Sequence, residues 1–262
     1  MGVRLQKICW AAAMAALCLC VSLHAQNLPP GIEKKTIGSG STQQSYFLYV
    51  PEHGKKAKPM PVIVVMHGSG GDGLGQVAAW KPLAEANNII LVGPNITNSA
   101  AAWDELYEHP EWIRDVIDEI GKKHPVDGRR MYLFGYSAGG MFTFYLGLME
   151  SRYFAAAAVH GGVIEDHKYA IADLAARKIP FAYYIGTKDH WWTVDKTRAT
   201  RDALTSRGFT VHYLELKGAD HNFYARYEEI TSDAWKFMKQ YGLDAGPQFD
   251  PLDQAKIKAI YK

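Results

Sequence analysis

The chain has 262 residues, of which 48% are hydrophobic and 21% are charged. This length and composition predict one globular domain with a sizeable core and exclude an intrinsically disordered chain. The 29 basic and 27 acidic residues are nearly balanced, and no cluster of lysine and arginine indicates nucleic acid or an anionic membrane surface as a partner.

The first 25 residues have the pattern of a secretory signal peptide. Arg4 and Lys7 precede an uncharged, apolar stretch, and the segment ends at the small residue Ala25. The stretch is shorter than the roughly 20 residues that a membrane-spanning helix needs, so we expect cleavage near Ala25 rather than stable membrane insertion. The sequence therefore predicts a secreted or periplasmic protein, with a mature domain that comprises residues 26–262.

The predicted signal contains all the cysteines of the chain, which are Cys9, Cys18 and Cys20. The mature chain is therefore expected to contain neither disulfides nor a thiolate metal site, and its stability must come from core burial. Loss of the two basic residues of the signal leaves 27 basic residues against 27 acidic residues. The mature protein is thus formally neutral.

Along the mature chain, short apolar runs have the length and composition of buried strands. They cover residues 45–50, 62–67, 89–92, 131–135, 155–159, 179–185 and 211–216. Longer segments between them have apolar residues at helical spacing. They cover residues 77–87, 111–123, 139–150, 195–207 and 226–241. Thr193 or Asp195 is expected to cap the fourth of these helices, and Gly208 is expected to end it.

Continuous apolar strands that alternate with helices are typical of a mostly parallel sheet covered on both faces. The predicted fold class is therefore α/β, in a single domain whose core extends over about residues 44–240. Residues 245–251 are expected to form a surface linker before a short basic tail.

Reactive or glycine-rich segments follow four of the predicted strands. These segments are HGSGG at 67–71, GYSAGG at 135–140, GTKDHWW at 186–192 and KGADHNF at 217–223. Because reactive groups collect at the carboxyl ends of the strands in such a sheet, the four segments are expected to form one site.

Residues 135–139 match the G-x-S-x-G pattern of a sharp strand-to-helix turn. A larger side chain at Gly135 or Gly139 would collide with neighbouring backbone, so the turn is expected to raise the Ser137 hydroxyl above the sheet. The backbone N–H of Ala138, at the start of the helix, is expected to face an incoming carbonyl oxygen. This arrangement predicts a nucleophilic serine.

A serine nucleophile needs a base within hydrogen-bonding distance. His221 follows the last predicted strand on a glycine-containing loop, and we predict that it is this base. His160, which follows the strand 155–159, is the alternative.

The base in turn needs a carboxylate to orient it. Asp189 follows the strand 179–185 and is the predicted acid, whereas Asp195 and Asp220 are alternatives. An acid in the first turn of a helix, such as Asp195, is favoured by the helix dipole without any catalytic role. Asp220 is the sequence neighbour of His221, and adjacent side chains seldom share one hydrogen bond.

No histidine pair has the H-x-x-x-H or H-E-x-x-H spacing of a zinc hydrolase, and no glycine-rich loop ends in Gly-Lys-Ser/Thr. The predicted chemistry therefore needs no metal and no cofactor.

The chain order Ser137, Asp189, His221 is the order found in α/β-hydrolases. The segments HGSGG, PVDGRRMYLFGYSAGGM, and GTKD followed by GADHNF resemble the esterase branch that contains polyhydroxybutyrate depolymerase-like proteins, feruloyl esterases and phospholipase/carboxylesterases. The resemblance covers roughly residues 44–240. It implies that the backbone N–H of Ser69 is a second donor to the oxyanion.

These residues and the resemblance together predict a serine esterase that acts on small-molecule or polymer-linked carboxylic esters, with no prediction of its oligomeric state. A serine peptidase or amidase of the same fold and a catalytically inactive binding protein are the alternatives. Tyr136, Trp191 and Trp192 lie beside the predicted nucleophile and acid, and their rings are expected to bind the acyl group. Milder apolar residues are more usual at 191 and 192 in the resembling branch.

Overall fold

The computed structural model describes residues 28–39, 43–52, 58–96, 103, 111–250 and 254–260. All the elements described below belong to one compact unit, Gly31–Lys262. The predicted signal, residues 1–25, lies outside the described residues. No helix in the described ranges combines the length and the apolar character needed to cross a membrane.

An eight-stranded sheet forms the centre of this unit. Its strands are β1 (Ile32–Ile37), β2 (Gln44–Tyr49), β3 (Met60–Met66), β4 (Ile90–Pro94), β5 (Val126–Tyr136), β6 (Ala156–His160), β7 (Phe181–Gly186) and β8 (Val211–Leu216). Their order across the sheet is β1-β2-β4-β3-β5-β6-β7-β8. From β4 to β8 every pairing is parallel, whereas β1 and β2 add an antiparallel edge. The predicted mostly parallel α/β sheet is confirmed.

Helices alternate with the strands. They are α1 (Gly73–Asn87), α2 (Glu111–Gly121), α3 (Ala138–Met149), α4 (Val194–Thr205), α5 (Tyr227–Met238) and α6 (Gln254–Ile260). Two 3-10 helices cover Asp166–Leu174 and Phe223–Ala225. Thr193 caps α4, because its hydroxyl accepts a hydrogen bond from Lys196 N at 3.3 Å. Gly208, which has a φ of +83°, follows the end of this helix.

Both faces of the sheet are covered, which explains the continuous apolar strands. Every residue of β3 is buried. On one face, Trp80 of α1 packs against Phe134 of β5, with ring centroids 4.9 Å apart. On the other face, Phe144 of α3 packs against Phe181 of β7 at 5.2 Å. Complete burial of such a side chain contributes about 1.5–3 kcal/mol to folding.

Two elements differ from the sequence prediction at the ends of the domain. Strand β1 lies outside the predicted core of residues 44–240, and it pairs with β2 from Ile32 to Ile37. The short tail after residues 245–251, for which no secondary structure was predicted, contains helix α6 and buries Ile257 to 1% exposure. Seven residues that alternate apolar side chains with lysines are too short a segment for periodicity to identify as a helix.

Candidate active site

The four reactive segments lie at one edge of the sheet, because they follow parallel strands. Ser137 stands between β5 and α3 with a φ of 57° and a ψ of −120°. Such a positive φ is rare outside glycine and marks local backbone strain. The backbone N–H of Ser137 is satisfied by the carbonyl of His160 on β6, at 2.9 Å. The strained turn is thereby held against the neighbouring strand.

The glycines on both sides of Ser137 permit this turn. A Cβ at Gly135 would collide with the carbonyl of Gly139 and the hydroxyl of Thr143. A Cβ at Gly139 would lie 2.5 Å from the carbonyl oxygens of Met66 and His67. The prediction that larger side chains would collide with backbone at these positions is confirmed.

His221 lies between the serine and a carboxylate. Its Nε2 is 2.8 Å from Ser137 Oγ, and its Nδ1 is 2.6 Å from Asp189 Oδ2. With the proton on Nδ1, His221 donates to Asp189, and Nε2 is free to accept the hydrogen bond from the serine hydroxyl. The three residues therefore have the spacing that nucleophile activation requires.

Asp189 is held on both of its oxygens. Its side chain is fully buried, and Oδ1 accepts hydrogen bonds from the backbone N–H groups of Trp191 and Trp192, at 2.8 and 2.9 Å. Burial alone would raise the pKa of this carboxyl. The hydrogen bonds from His221 and from the two backbone groups outweigh that effect and keep the pKa of Asp189 below its ordinary value. The carboxylate is therefore ionised at neutral pH.

The loops that carry the acid and the base are joined directly. Lys188 N donates to Ala219 O at 2.8 Å, and Gly218 N donates to the hydroxyl of Thr187 at 2.8 Å. A Cβ at Gly186 would collide with the carbonyl oxygens of the loop that precedes His221. Sequence reasoning missed this role of Gly186, although the glycine at the end of the strand was a visible signal.

The alternative residues lie elsewhere. The Asp195 side chain is 93% exposed and pairs with Arg198 at 3.6 Å. Asp220 is exposed and accepts a hydrogen bond from the backbone N–H of Asn222 at 3.0 Å. His160 meets Ser137 only through its backbone carbonyl, and burial lowers the pKa of its ring to about 4.

The HGSGG loop lies directly over the serine turn. A Cβ at Gly68 would lie 3.1 Å from the Cβ of Ser137, so this glycine allows the loop to approach the serine closely. Gly71 N donates to Gly68 O at 3.1 Å and closes the turn. The indole N–H of Trp103 donates to the carbonyl of His67 at 2.8 Å. Trp103 carries no sequence signal for this anchoring role.

A cleft of about 400 Å³ opens above Ser137. Every predicted site residue except the buried Asp189 lines it, namely Ser69, Tyr136, Ser137, Ala138, Trp191, Trp192 and His221, and Gly68 and Met141 complete the lining. In the described part of the chain, no three metal-ligating side chains come together. The cleft is large enough for a small organic group.

The aromatic residues of the cleft take different positions. Tyr136 lies beneath the base, with its ring centroid 5.3 Å from that of His221. Trp191 is 67% exposed at the mouth of the cleft, and its ring centroid is 6.3 Å from that of His221. Trp192 is half-buried, and the Lys196 ammonium lies 5.8 Å from its ring centroid.

Comparisons with known proteins agree with this fold. The dienelactone hydrolase family matches residues 97–241, which is more than half of the chain. The chain belongs to this family. The resemblance to esterases of the α/β-hydrolase fold is thereby confirmed.

Curated relatives of this family member are named as esterases. The chain is 28% identical over 159 residues to a bifunctional acetylxylan esterase/xylanase of Neocallimastix patriciarum. The aligned region covers 60% of this chain and 22% of that protein. It is also 28% identical over 165 residues to feruloyl esterase B of Thermothelomyces thermophilus. This aligned region covers 58% of this chain and 53% of the relative. The chain therefore spans about half or less of the length of these relatives.

Solved structures share the fold. A thermostable esterase superimposes with a TM-score of 0.65 at 21% identity, over 81% of this chain and 63% of that chain. This likeness supports the α/β-hydrolase architecture of the family member.

Proposed function

We propose that the protein is a serine esterase that hydrolyses carboxylic esters through an acyl-enzyme intermediate. The observation that carries the proposal is the contact chain from Ser137 Oγ to His221 Nε2 at 2.8 Å, and from His221 Nδ1 to Asp189 Oδ2 at 2.6 Å. The esterase names of its relatives support the same reaction class.

In the first half-reaction, Ser137 Oγ attacks the ester carbonyl carbon and its proton passes to His221 Nε2. The carbonyl oxygen becomes an oxyanion, which accepts hydrogen bonds from the backbone N–H groups of Ser69 and Ala138. Collapse of this intermediate breaks the bond to the alcohol oxygen, which takes the proton from His221. The alcohol leaves, and the acyl group remains on Ser137.

In the second half-reaction, water attacks the acyl carbon and gives a proton to His221 Nε2. The second tetrahedral intermediate expels Ser137 Oγ, which recovers the proton, and the carboxylic acid leaves. Asp189 keeps the His221 proton on Nδ1 and stabilises the imidazolium that forms in both halves. Each oxyanion donor is worth about 3 kcal/mol of transition-state stabilisation.

The substrates are small-molecule or polymer-linked esters. The cleft opens to the surface beside Trp191, so the alcohol part can extend outwards as part of a larger molecule. The predicted signal in residues 1–25 supports a secreted or periplasmic site of action.

A fluorophosphonate probe tests the nucleophile, because it phosphonylates an activated serine and leaves an inactive protein unlabelled. A p-nitrophenyl ester and the matching p-nitroanilide, compared at equal concentration, separate an esterase from an amidase. We expect labelling at Ser137 and much faster ester hydrolysis. Labelling without ester hydrolysis, or faster anilide cleavage, would contradict the proposal.

A further inference from the structure

Met141 forms part of the wall of two cavities. It lines the cleft of about 400 Å³ above Ser137, and it also lines a second cavity of about 10 Å³. The second cavity has room for about one water molecule. Met141 is the residue that both linings have in common, which places it between the two spaces.

The second cavity has a mostly apolar lining. Its buried apolar side chains include Phe144, Val163, Ile164 and Ile171. The polar part of its wall comes from Tyr145 and from the ion pair between Lys168 Nζ and Glu165 Oε2, at 2.9 Å. A hydrocarbon chain that entered this space would contact apolar atoms on most sides.

The Met141 backbone is held in one place. Met141 belongs to the first turn of α3, and its N–H donates to the Ser137 carbonyl at 3.0 Å. A Cβ at Gly162 would lie 2.8 Å from Met141 N. The segment that follows β6 therefore packs tightly against the Met141 backbone. At this position the backbone is fixed, so Met141 shapes the cleft through its flexible side chain.

The direction of the acyl group follows from the positions of the other groups. The leaving alcohol must lie near His221 Nε2, from which it takes a proton, and Trp191 flanks that side. The oxyanion must face the N–H groups of Ser69 and Ala138. The acyl group must therefore extend towards the rest of the cleft lining, which includes Met141 and Trp192.

We propose that Met141 closes the acyl end of the cleft and sets the longest acyl chain that the protein hydrolyses. This inference rests on the proposed esterase function and names the acyl class, which is compact acyl groups rather than long alkyl chains. Substitution by alanine removes Cγ, Sδ and Cε and joins the cleft to the second cavity. Each additional buried methylene then favours the longer ester by about fourfold.

The test is a series of p-nitrophenyl esters from acetate to octanoate, in which only the acyl chain varies. In Met141→Ala, the ratio of kcat/KM for hexanoate to that for acetate should rise at least about tenfold over the wild type. Met141→Phe should lower the ratio for butyrate to acetate. Met149→Ala, a matched change on the same helix outside the cleft, should leave both ratios unchanged.

A further variant tests the second cavity itself. Val163→Phe in the Met141→Ala background refills this space and should return the hexanoate ratio towards the wild-type value. If both ratios are unchanged in both Met141 variants while ester hydrolysis is intact, the proposed role of Met141 is wrong and the esterase function stands. Should wild-type protein that is folded hydrolyse no ester of the series, the esterase function and this inference both fail.

Discussion

Asp189 and His221 share a hydrogen bond of 2.6 Å, and the second oxygen of Asp189 is held by two backbone N–H groups of its own loop. The carboxylate is thus oriented before any substrate binds. A rotation of Asp189 would cost three hydrogen bonds together, so the histidine ring has little freedom to turn away from Ser137.

Asparagine at position 189 should damage the reaction severely. The amide cannot stabilise a charged imidazole, and it can hold the His221 ring in the wrong tautomer. If Asp189 orients the base as proposed, Asp189→Asn should lower kcat by about 10⁴-fold, the loss that this substitution causes in a serine triad. Steady-state kinetics on p-nitrophenyl acetate measure this loss.

Asp195→Asn is the matched control for this change. Asp195 is exposed and contacts Arg198 rather than the histidine, so its loss should change kcat less than about twofold. A larger loss in Asp195→Asn than in Asp189→Asn would identify Asp195 as the acid.

Removal of the Ser137 hydroxyl should abolish most activity without unfolding the protein. Ser137→Ala keeps the backbone of the turn and lacks only the attacking oxygen, so turnover should fall by several orders of magnitude. Thermal unfolding checks that the fold is retained, and Ser206→Ala on the end of α4 provides a control. Retention of more than a tenth of the activity would reject Ser137 as the nucleophile.

Gly186→Ala should push the loop that carries Asp189 away from the loop that carries His221. The added Cβ meets the carbonyl oxygens of Ala219 and Asp220, so the segment that carries His221 must move. A displacement of about 1 Å at a catalytic group can cost about 100-fold in rate. We expect a loss of at least about tenfold in kcat.

Gly121→Ala is the control for this glycine substitution. Gly121 ends α2, and a Cβ there would have no atom within 4 Å. Activity should be unchanged, and stability should stay equal or rise by up to about 1 kcal/mol. Equal kcat values for Gly186→Ala and the wild type would show that the reaction does not depend on close contact between the loops of Asp189 and His221.

The positions of the candidate triad were predictable because of the topology. In a parallel sheet the carboxyl ends of the strands meet at one edge, so a residue directly after a strand can be placed without knowing its contacts. Ser137, Asp189 and His221 each follow a strand that the apolar pattern identified. Their assignment as catalytic residues remains a prediction for the experiments above.

Other features depend on tertiary contacts that have no local pattern. Strand β1 reads IEKKTI, and three of its six residues are exposed because it lies at the sheet edge. Its strand geometry comes from hydrogen bonds to β2 rather than from apolar periodicity. Likewise, Trp103 anchors the HGSGG loop from a distant part of the chain, and its spacing to that loop follows no rule.

The carboxyl of Glu150 should make stability fall as pH rises. Glu150 is fully buried, and its Oε2 accepts a hydrogen bond from Asp250 N at 2.9 Å. Burial raises its pKa from 4.5 to about 8, aided by the negative charges of Asp250 and Glu111, while the Asp250 N–H and Arg114 oppose the rise. Between these two values, the unfolded chain is ionised and the folded chain is protonated. Ionisation thus favours the unfolded state over this pH range.

Glu150→Gln should remove this contribution. The amide oxygen can still accept from Asp250 N, and it carries no charge at any pH. We expect the variant to gain up to about 5 kcal/mol over the wild type at pH 9, which is the full effect of this shift, and little at pH 4.5. Urea unfolding at both pH values measures the difference. Asp244→Asn, at an exposed position in the same C-terminal segment, is the control, and an equal gain there would show that the effect is not specific to Glu150.

The rings of Trp191 and Trp192 should decide the preference for aromatic acyl or alcohol groups. Their backbone N–H groups hold Asp189, and alanine retains those groups, so substitution changes the cleft wall without releasing the acid. Stacking on a planar group is worth about 1 kcal/mol beyond burial. Loss of a ring that binds a cinnamoyl group should therefore lower kcat/KM for a cinnamoyl ester more than for butyrate.

Separate alanine variants distinguish the two rings. Trp192 is half-buried beside the wall assigned to the acyl group, whereas Trp191 is 67% exposed on the alcohol side. We expect Trp192→Ala to change the ratio of kcat/KM for cinnamoyl ester to butyrate by more than about threefold, and Trp191→Ala to change it less when the alcohol is the same small group. Unfolding temperatures show whether either variant has lost packing. If neither variant moves the ratio beyond about threefold, which corresponds to about 0.7 kcal/mol, the rings do not select the acyl group and only the general esterase function remains supported.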